Sequence, residues 1–254
     1  MNIIELCGGL GNQLFQYAFG KTMESYGTEV YYNASWYNRE YDPPRFYELD
    51  KFKVNVKLAP PLKLKLTVES KFPEPMKVDG CDFRGYWQHV QYYEKVLPIL
   101  KNEFCVKEEN YTEEFVKLRE SIINCNSISV HIRRTDYITQ NACFSLPLDY
   151  YMKALKEFNK GDLFIFSDDI EWCKETFKKE YFSRKITFIH LPNYLDFELM
   201  KLCKNSILAN STFSIMSALV SDDSKKVICP SYTQVSNKHR PLDLPFPENW
   251  MKLC

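Results

Sequence analysis

Two adjacent arginines are the strongest chemical feature of this sequence. Arg133 and Arg134 directly follow an apolar, β-branched run in "SVHIRRTDY" (residues 129–137). A guanidinium carries a planar fork of N–H donors that holds a phosphate with two hydrogen bonds, and it stays charged without help from its surroundings. A structural salt bridge accounts for one such arginine more readily than for two neighbours. The pair therefore predicts a phosphate-binding site, in which His131 is either a hydrogen-bonding group or a satisfied core histidine.

Acidic residues follow the next apolar run along the chain. In "FSDD" (166–169), Asp168 and Asp169 stand where a strand is predicted to end and a helix to begin. Ser167 or Asp168 as a plain helix N-cap explains this pattern without any function. As alternatives, the carboxylates chelate a metal on a diphosphate, or accept the N–H edge of a guanine or a ribose hydroxyl. Because the arginines can neutralise a leaving diphosphate themselves, the site does not require a metal.

A polar run also marks a later strand-to-helix junction. "NSTFS" (210–214) places hydroxyls and backbone N–H groups at the N-terminus of a predicted helix, which is a natural cradle for a phosphate or a ribose. Helix capping alone explains one or two of these residues. The candidates for ligand contacts are Ser211, Thr212, Phe213 and Ser214, together with Asp196 at the start of the preceding predicted helix.

A glycine-rich stretch near the N-terminus, "CGGLGNQLFQYAFGKT" (7–22), contains parts of two phosphate-binding loops and completes neither. A triphosphate loop needs a glycine five residues before Gly20, where Phe15 stands, and Lys21 falls inside a predicted helix. A dinucleotide turn needs a third glycine for close packing of helix on strand, and Leu14 occupies that position. A nicotinamide or flavin site is therefore not expected.

The remaining interpretation of this stretch is a Gly-rich turn at a helix N-terminus, a surface that favours anions and close approach. Gly9, Gly11 and Asn12 are its candidate ligand contacts. A tight strand-to-helix turn without a ligand is the plain alternative.

The elements that position these motifs are clearest in the second half of the chain. Short strands alternate there with amphipathic helices: strands at 128–132, 163–166, 186–189, 206–209 and 226–229, and helices at 149–158, 170–178, 196–203 and 213–220. This alternation predicts right-handed βαβ crossovers and an α/β, doubly wound parallel sheet. Ligands of such sheets bind beyond the carboxyl ends of the strands, where the three polar motifs stand.

The first half begins in the same way, with a strand at 2–7, a helix at 12–26 and a strand at 29–33. We therefore predict two domains, 1–125 and 126–254, with the last residues able to pack back on the first. The lysine-spaced stretch "KVNVKLAPPLKLKL" (53–66) favours an edge strand with solvated lysines, and a membrane-facing patch is the alternative.

Composition limits the partners of the chain. The 33 basic and 33 acidic side chains cancel, which argues against a broad nucleic-acid surface. Nine widely spaced cysteines without a C-x-x-C pair disfavour a zinc site or a disulfide framework and favour a reducing compartment. The sequence has neither a signal-peptide pattern nor an apolar run of about 20 residues. We expect a cytoplasmic protein that is at most peripheral to the inner face of a membrane.

Five motifs together resemble those of a known family. "GGLGNQLFQYAFG", "GYWQ" (85–88), "HIRRTDY", "FSDD" and "NSTFS", in this order, resemble the bacterial α-1,2-fucosyltransferases of glycosyltransferase family eleven over nearly the whole chain. The resemblance implies two facing Rossmann-like domains of the GT-B type and GDP-β-L-fucose as the donor. The implied reaction is inverting transfer to the 2-hydroxyl of a terminal galactose, on an oligosaccharide or a lipid-linked glycan, without a metal or other cofactor.

The resemblance also implies roles for the candidate residues. Arg133 and Arg134 hold the diphosphate, and Arg133 is the expected contact of the β-phosphate. Asn12 reaches the donor from the opposite domain. The remaining candidates are assigned to the guanosine (His131 and Asp196), to the shape of the site (Asp136, Asp168 and Asp169) and to the phosphates (Ser211 to Ser214).

The acceptor end of the reaction is less determined. Asp136 is the preferred general base, ahead of His131 and Glu5, and a phosphate oxygen is the alternative proton acceptor. Acceptor contacts are expected in the irregular region 36–80. Ile215 and Met216 replace a tryptophan pair of the family, a change of core or cleft wall. A transferase for another nucleotide sugar and a non-catalytic binding module remain alternative functions.

Overall fold

The computed structural model describes residues 1–41, 44–60, 64–69, 79–139, 145–178, 183–231 and 246–253. The chain divides into two units, Met1–Lys107 and Glu108–Cys254. This boundary lies before the predicted one near residue 125. The difference is helix Glu113–Ile123, which packs against helix Asn193–Leu202 of the second unit. In the described part of the chain, every helix is too short or too polar to cross a bilayer.

The first unit contains a parallel sheet of four strands: β1 (Asn2–Glu5), β2 (Val30–Asn33), β3 (Lys65–Val68) and β4 (Cys81–Arg84). Their order is β2-β1-β4-β3, and all neighbours run parallel. Of the lysine-spaced stretch 53–66, Lys65 and Leu66 lie in the edge strand β3, whereas residues 53–60 form no strand apart from an isolated bridge at Leu58, and 61–63 lie outside the described residues. The predicted edge strand is therefore present only at the end of the stretch. Lys65 and Leu66 of β3 are exposed.

Helix α1 (Leu10–Ser25) packs on this sheet through a glycine. A Cβ atom at Gly20 would overlap the hydroxyl of Tyr32 on β2 and would lie 2.9 Å from the Cδ1 atom of Ile4 on β1. Gly20 therefore permits the close approach of helix and sheet. Lys21 beside it forms an ion pair with Glu24 at 2.8 Å, so the Gly-Lys-Thr sequence is ordinary helix. Helix α2 (Leu97–Glu103) follows later in this unit.

The second unit contains a parallel sheet of six strands: β5 (Ser127–Ile132), β6 (Asp162–Ser167), β7 (Ile186–Ile189), β8 (Asn205–Ile207), β9 (Lys226–Pro230) and β10 (Met251–Leu253). Their order is β10-β9-β8-β5-β6-β7, so the chain winds outward from β5 in one direction and from β8 in the other. The switch point of this doubly wound sheet lies between β5 and β8, where such sheets bind ligands.

The helices of the second unit are α3 (Glu113–Ile123), α4 (Thr135–Thr139), α5 (Leu148–Lys156), α6 (Ile170–Thr176), α7 (Asn193–Leu202) and α8 (Thr212–Leu219). The predicted strands and helices are all present, with ends shifted by a few residues. Strand β10 pairs with β9, so the last described residues join the C-terminal sheet. Ile215 and Met216 of α8 are fully buried, which makes them core residues.

We predict that Gly20→Ala destabilises the protein. Helix propensity alone predicts a gain of about 1 kcal/mol for Gly→Ala inside a helix. The added methyl group meets Tyr32 and Ile4, and overpacking of this kind costs about 1–3 kcal/mol. Urea unfolding should therefore show a lower midpoint for Gly20→Ala, whereas Ser25→Ala, on the exposed end of the same helix, should stay near the wild type. An unchanged or higher midpoint for Gly20→Ala would contradict the packing role.

Candidate functional site

Parallel pairing of β5 with β6 brings two of the motifs together. Ile132, the last residue of β5, lies opposite Ser167, the last residue of β6. Arg133 and Asp168 therefore leave the sheet side by side, at the carboxyl ends of neighbouring strands. The two motifs share one edge of the sheet, as predicted.

The carboxylate of Asp168 holds the backbone that carries the arginines. Its Oδ1 atom accepts the backbone N–H of Arg134 at 2.9 Å, and its Oδ2 atom accepts the backbone N–H of Thr135 at 3.1 Å. The same oxygen accepts the hydroxyl of Thr135 and lies 3.3 Å from Nε of Arg133. We call residues 133–135, fixed in this way, the arginine turn.

The Arg133 guanidinium is oriented by a second carboxylate and a ring. Its Nη2 atom donates to Asp136 at 2.8 Å, and its Cζ atom lies 5.6 Å from the centre of the Tyr137 ring. Burial lowers the pKa of Arg133, but the carboxylates of Asp168 and Asp136 outweigh it and raise the pKa above its ordinary value. Arg133 therefore remains a cation although only 21% of its side chain is exposed.

The Arg134 guanidinium is held in the same manner. Its Nε atom donates to Asp169 at 3.0 Å, and its Cζ atom lies 3.8 Å from the centre of the Trp172 ring, a cation–π contact. Asp169 is also the N-cap of α6, because its Oδ1 atom accepts the backbone N–H of Trp172 at 3.3 Å. The cap that the sequence assigned to Ser167 or Asp168 is thus Asp169.

Tyr137 and Trp172 belong to the candidate site but were not among the residues predicted from the sequence. Each stands on the first turns of a helix and places its ring against a guanidinium. The spacing of Tyr137 four residues after Arg133 is the one available signal, since residues at this spacing meet on a helical turn. Trp172 is far from Arg134 in sequence and gives no such signal.

Helix α8 begins beside the arginine turn, across the switch point from β5. The hydroxyl of Tyr137 donates to the backbone oxygen of Asn210 at 3.2 Å and connects the two regions. Ser211 is the N-cap of α8, and its side chain makes no capping hydrogen bond. The Ser214 hydroxyl donates to the backbone oxygens of Ala209 and Ser211, so it stabilises this turn. Of the predicted cradle, Ser211 and Thr212 stand at the helix N-terminus itself.

His131 lies on the face of β5 that α8 covers. Its ring centre is 5.5 Å from that of Phe213, which packs in turn against Phe197. Burial is the main cause that lowers the pKa of His131 to about 3; Asp168 opposes this shift and Arg133 adds to it. The ring is therefore neutral at physiological pH and a weak base. Its buried Nδ1 atom has no hydrogen-bond partner within the described residues.

Asp196 is buried in the first turn of α7, with 7% of its surface exposed. Its Oδ1 atom accepts the backbone N–H of Leu191 at 3.1 Å. Burial raises the pKa of Asp196 to about 8, although the Leu191 hydrogen bond opposes this shift. Ionising a carboxyl group at this buried position lowers the stability of the fold.

The glycine-rich turn and the "GYWQ" motif meet in the first unit. The Nε2 atom of Gln88 donates to Oδ1 of Asn12 at 3.0 Å, and the Tyr37 hydroxyl donates to the backbone oxygen of Gly8 at 3.0 Å. Gly8 has φ +77°, which makes it the residue that needs glycine for its backbone conformation. Gly9 is the N-cap of α1 and Gly11 is buried in its first turn.

Gln88 and Gly8 were not among the candidates from sequence. The motif containing Gln88 was part of the resemblance, but its contact with Asn12 joins residues 76 positions apart, which no local pattern reveals. The Oε1 atom of Gln88 is buried and has no hydrogen-bond partner in the described part of the chain. Gln88 thus positions Asn12, and its Oε1 atom is a hydrogen-bond acceptor that the described residues leave unsatisfied.

Two proteins of Escherichia coli are similar to this chain over almost their full length. An α-1,2-colitosyltransferase is 30% identical, with 99% of this chain and 98% of the relative aligned. The O-antigen biosynthesis glycosyltransferase WbnK is 26% identical, with 98% of this chain and 99% of the relative aligned.

Two solved fucosyltransferase structures share the fold. NodZ from Bradyrhizobium has a TM-score of 0.59 and 12% identity, covering 87% of this chain and 92% of its own. POFUT1 in complex with GDP has a TM-score of 0.52 and 12% identity, covering 89% of this chain and 96% of its own. These matches confirm the predicted GT-B-type fold. The sequence profile of glycosyl transferase family 11 matches residues 73–253, and the chain therefore belongs to glycosyltransferase family 11.

Proposed function

We propose that this glycosyltransferase moves L-fucose from GDP-β-L-fucose to the 2-hydroxyl of a terminal galactose, with inversion at the anomeric carbon. The observation that carries the proposal is the arginine turn, which holds two oriented guanidiniums at the carboxyl ends of β5 and β6 and is connected through Tyr137 to the residues before α8. NodZ, which shares the fold, was crystallised with GDP and soaked with GDP-fucose.

A second donor is supported by one relative. The 30% identical protein is an α-1,2-colitosyltransferase, and colitose is fucose without its 3-hydroxyl group. The arginine turn serves either donor, because it contacts the part that they share. Discrimination between the two donors therefore depends on the protein group that forms a hydrogen bond with the 3-hydroxyl of fucose. If that group is buried, GDP-colitose would leave it unpaired and would be strongly disfavoured.

The diphosphate is bound by more than the arginines. Three carboxylates, Asp136, Asp168 and Asp169, already pair with the two guanidiniums. The phosphates therefore also need the backbone N–H groups at the start of α8, where Ser211 and Thr212 stand and the helix dipole favours an anion. Guanidiniums and helix N-terminus together neutralise the leaving GDP, so we propose that no metal takes part.

We assign the guanine to His131 and Asp196. Both are buried beside α8 or α7, and both carry polar atoms that face no solvent. A neutral imidazole and a carboxylate can pair with the donors and acceptors of a purine edge. Asn12, Gly9 and Gly11 stay predicted ligand contacts of the first unit.

The acceptor is proposed to be a galactose-terminated oligosaccharide or lipid-linked glycan of a surface polysaccharide. WbnK, with 26% identity, is named for O-antigen biosynthesis, which supports this class. We place the reaction in the cytoplasm, where the protein is free or peripheral at the membrane. A non-catalytic binding module would not need two guanidiniums oriented by carboxylates.

The donor and the linkage can be tested directly. With a β-galactoside acceptor, we expect transfer from GDP-fucose, no transfer from GDP-mannose or UDP-galactose, and an α-1,2 linkage by NMR analysis of the product. GDP-colitose is the decisive comparison: a kcat/KM higher than that of GDP-fucose would make colitose the natural donor. Absence of both transfer and donor hydrolysis would reject the enzyme function.

Asp136→Asn tests the proposed general base. If Asp136 takes the proton of the acceptor hydroxyl, kcat falls by about 10²–10⁴-fold, while the dissociation constant of GDP stays within a factor of about two. Asp149→Asn, which removes a surface carboxylate paired with Lys153, is the control. Near-wild-type turnover would reject the base role, and a parallel loss of GDP affinity would assign Asp136 to the positioning of Arg133.

Asp196→Asn should stabilise the protein in a pH-dependent way. The folded pKa of about 8 lies above the ordinary 3.8, so the folded protein keeps a proton that the unfolded chain releases above about pH 4. This group therefore lowers stability progressively as the pH rises from about 4 to about 8. The gain in Tm of Asp196→Asn should be larger at pH 8 than at pH 5, at about 2–4 °C for each kcal/mol.

The same variant should bind GDP more weakly, because an amide cannot release a proton to become the carboxylate that would accept from the base. Differential scanning fluorimetry and calorimetric titration with GDP measure the two effects. Asp223→Asn, on an exposed turn, should change neither. Equal Tm gains at both pH values would show that Asp196 does not titrate as stated.

A further inference from the structure

The two guanidiniums of the arginine turn differ in how much of each is available to a ligand. Arg133 is engaged on two nitrogens: Nη2 donates to Asp136 at 2.8 Å, and Nε lies 3.3 Å from Asp168. The guanidinium of Arg134 is engaged on Nε, which donates to Asp169 at 3.0 Å. Within the described part of the chain, both Nη atoms of Arg134 lack a hydrogen-bond partner, and neither is fully buried. Solvent therefore reaches the terminal edge of Arg134.

This terminal edge is the part of an arginine that binds a phosphate most specifically. The two Nη atoms present parallel N–H bonds in one plane, and two oxygens of one phosphate can accept them together. The contact requires a fixed plane, because a guanidinium that moves on its flexible stem loses entropy when a phosphate holds it still. How well Arg134 holds a phosphate thus depends on what fixes its plane beforehand.

The ring of Trp172 fixes this plane. The Cζ atom of Arg134 lies 3.8 Å from the ring centre of Trp172, so the guanidinium lies in contact with the face of the indole. Asp169 restrains both partners: its Oδ2 atom accepts Nε of Arg134, and its Oδ1 atom accepts the backbone N–H of Trp172 at 3.3 Å. One carboxylate therefore holds the guanidinium and the residue that carries the ring in a fixed relation.

Trp172 is itself supported by the core of the second unit. Its half-buried side chain packs against the core around β5 and β6, and its ring centre lies 6.4 Å from that of the fully buried Phe177. An aromatic ring attracts a cation through its quadrupole and, unlike a carboxylate, does not neutralise the charge. Trp172 therefore orients Arg134 and leaves its positive charge available to an anion.

We infer that Trp172 is a positioning residue, which holds the guanidinium of Arg134 so that its terminal edge binds one phosphate of the nucleotide through two hydrogen bonds. This inference rests on the proposed function and adds to it the residue that orients the phosphate contact. Trp172 contacts the face of the guanidinium, whereas the phosphate meets its edge. The contribution of Trp172 to nucleotide binding therefore requires the side chain of Arg134.

A double-mutant cycle in the full chain measures this dependence, with the dissociation constant of GDP from calorimetric titration as the readout. We expect Trp172→Leu to weaken GDP binding about 3–10-fold, the effect of a partly desolvated cation–π contact. Trp172→Phe keeps an aromatic face and should stay within a factor of about two of the wild type. In an Arg134→Ala background, Trp172→Leu should change the GDP affinity by less than about twofold, because the contact that it supports is gone.

Phe177→Leu is the matched control, because it changes the core next to Trp172 and keeps the pair of indole and guanidinium. It should lower the Tm, as Trp172→Leu does, and leave the GDP affinity unchanged.

Three results would overturn the inference and leave the proposed function intact. They are an unchanged GDP affinity in Trp172→Leu, an equal weakening by Trp172→Leu with and without the Arg134 side chain, and an equal weakening by Phe177→Leu. Failure of the wild-type protein to bind GDP would reject the proposed function itself, and the role of Trp172 with it.

Discussion

The carboxylate of Asp168 is the contact on which the candidate site depends. It accepts the backbone N–H groups of Arg134 and Thr135 and lies against Nε of Arg133. The two backbone groups would otherwise be unsatisfied at the beginning of α4, since the first N–H groups of a helix have no partner within it. Hydrogen bonds to a charged group contribute about 1.5–3 kcal/mol each. One side chain from β6 therefore fixes the turn after β5 and aims both guanidiniums.

This arrangement also explains how the fold tolerates two guanidiniums next to each other. Each guanidinium has a carboxylate and an aromatic ring of its own, Asp136 with Tyr137 for Arg133 and Asp169 with Trp172 for Arg134. These contacts offset the desolvation of the half-buried charges. They also use part of the positive potential, which is why the proposed diphosphate site includes the N-terminus of α8.

The features that could be predicted from the sequence are those encoded by local patterns. The strands at 128–132 and 163–166 and the polar residues after them follow from residue type and period, and parallel pairing then places Arg133 beside Asp168. Contacts between distant residues were not predictable: Trp172 under Arg134, Gln88 on Asn12, and the Tyr32 hydroxyl over Gly20. A dinucleotide turn would have a third glycine at position 14, whereas in this protein it is Gly20 that allows α1 to pack closely on the sheet. The boundary between the units also differs from the predicted one because of a contact between distant residues, the packing of α3 on α7.

Several buried polar residues lower the stability of the fold and are not needed for packing of the core. Ile215 and Met216, which replace a tryptophan pair of the family, pack as ordinary core residues in α8. His131 and Asp196, by contrast, are buried with perturbed pKa values, and Gln88 carries a buried oxygen with no partner in the described residues. Burying a polar group without full compensation destabilises a fold. Under the proposed function, the bound donor compensates these buried polar groups.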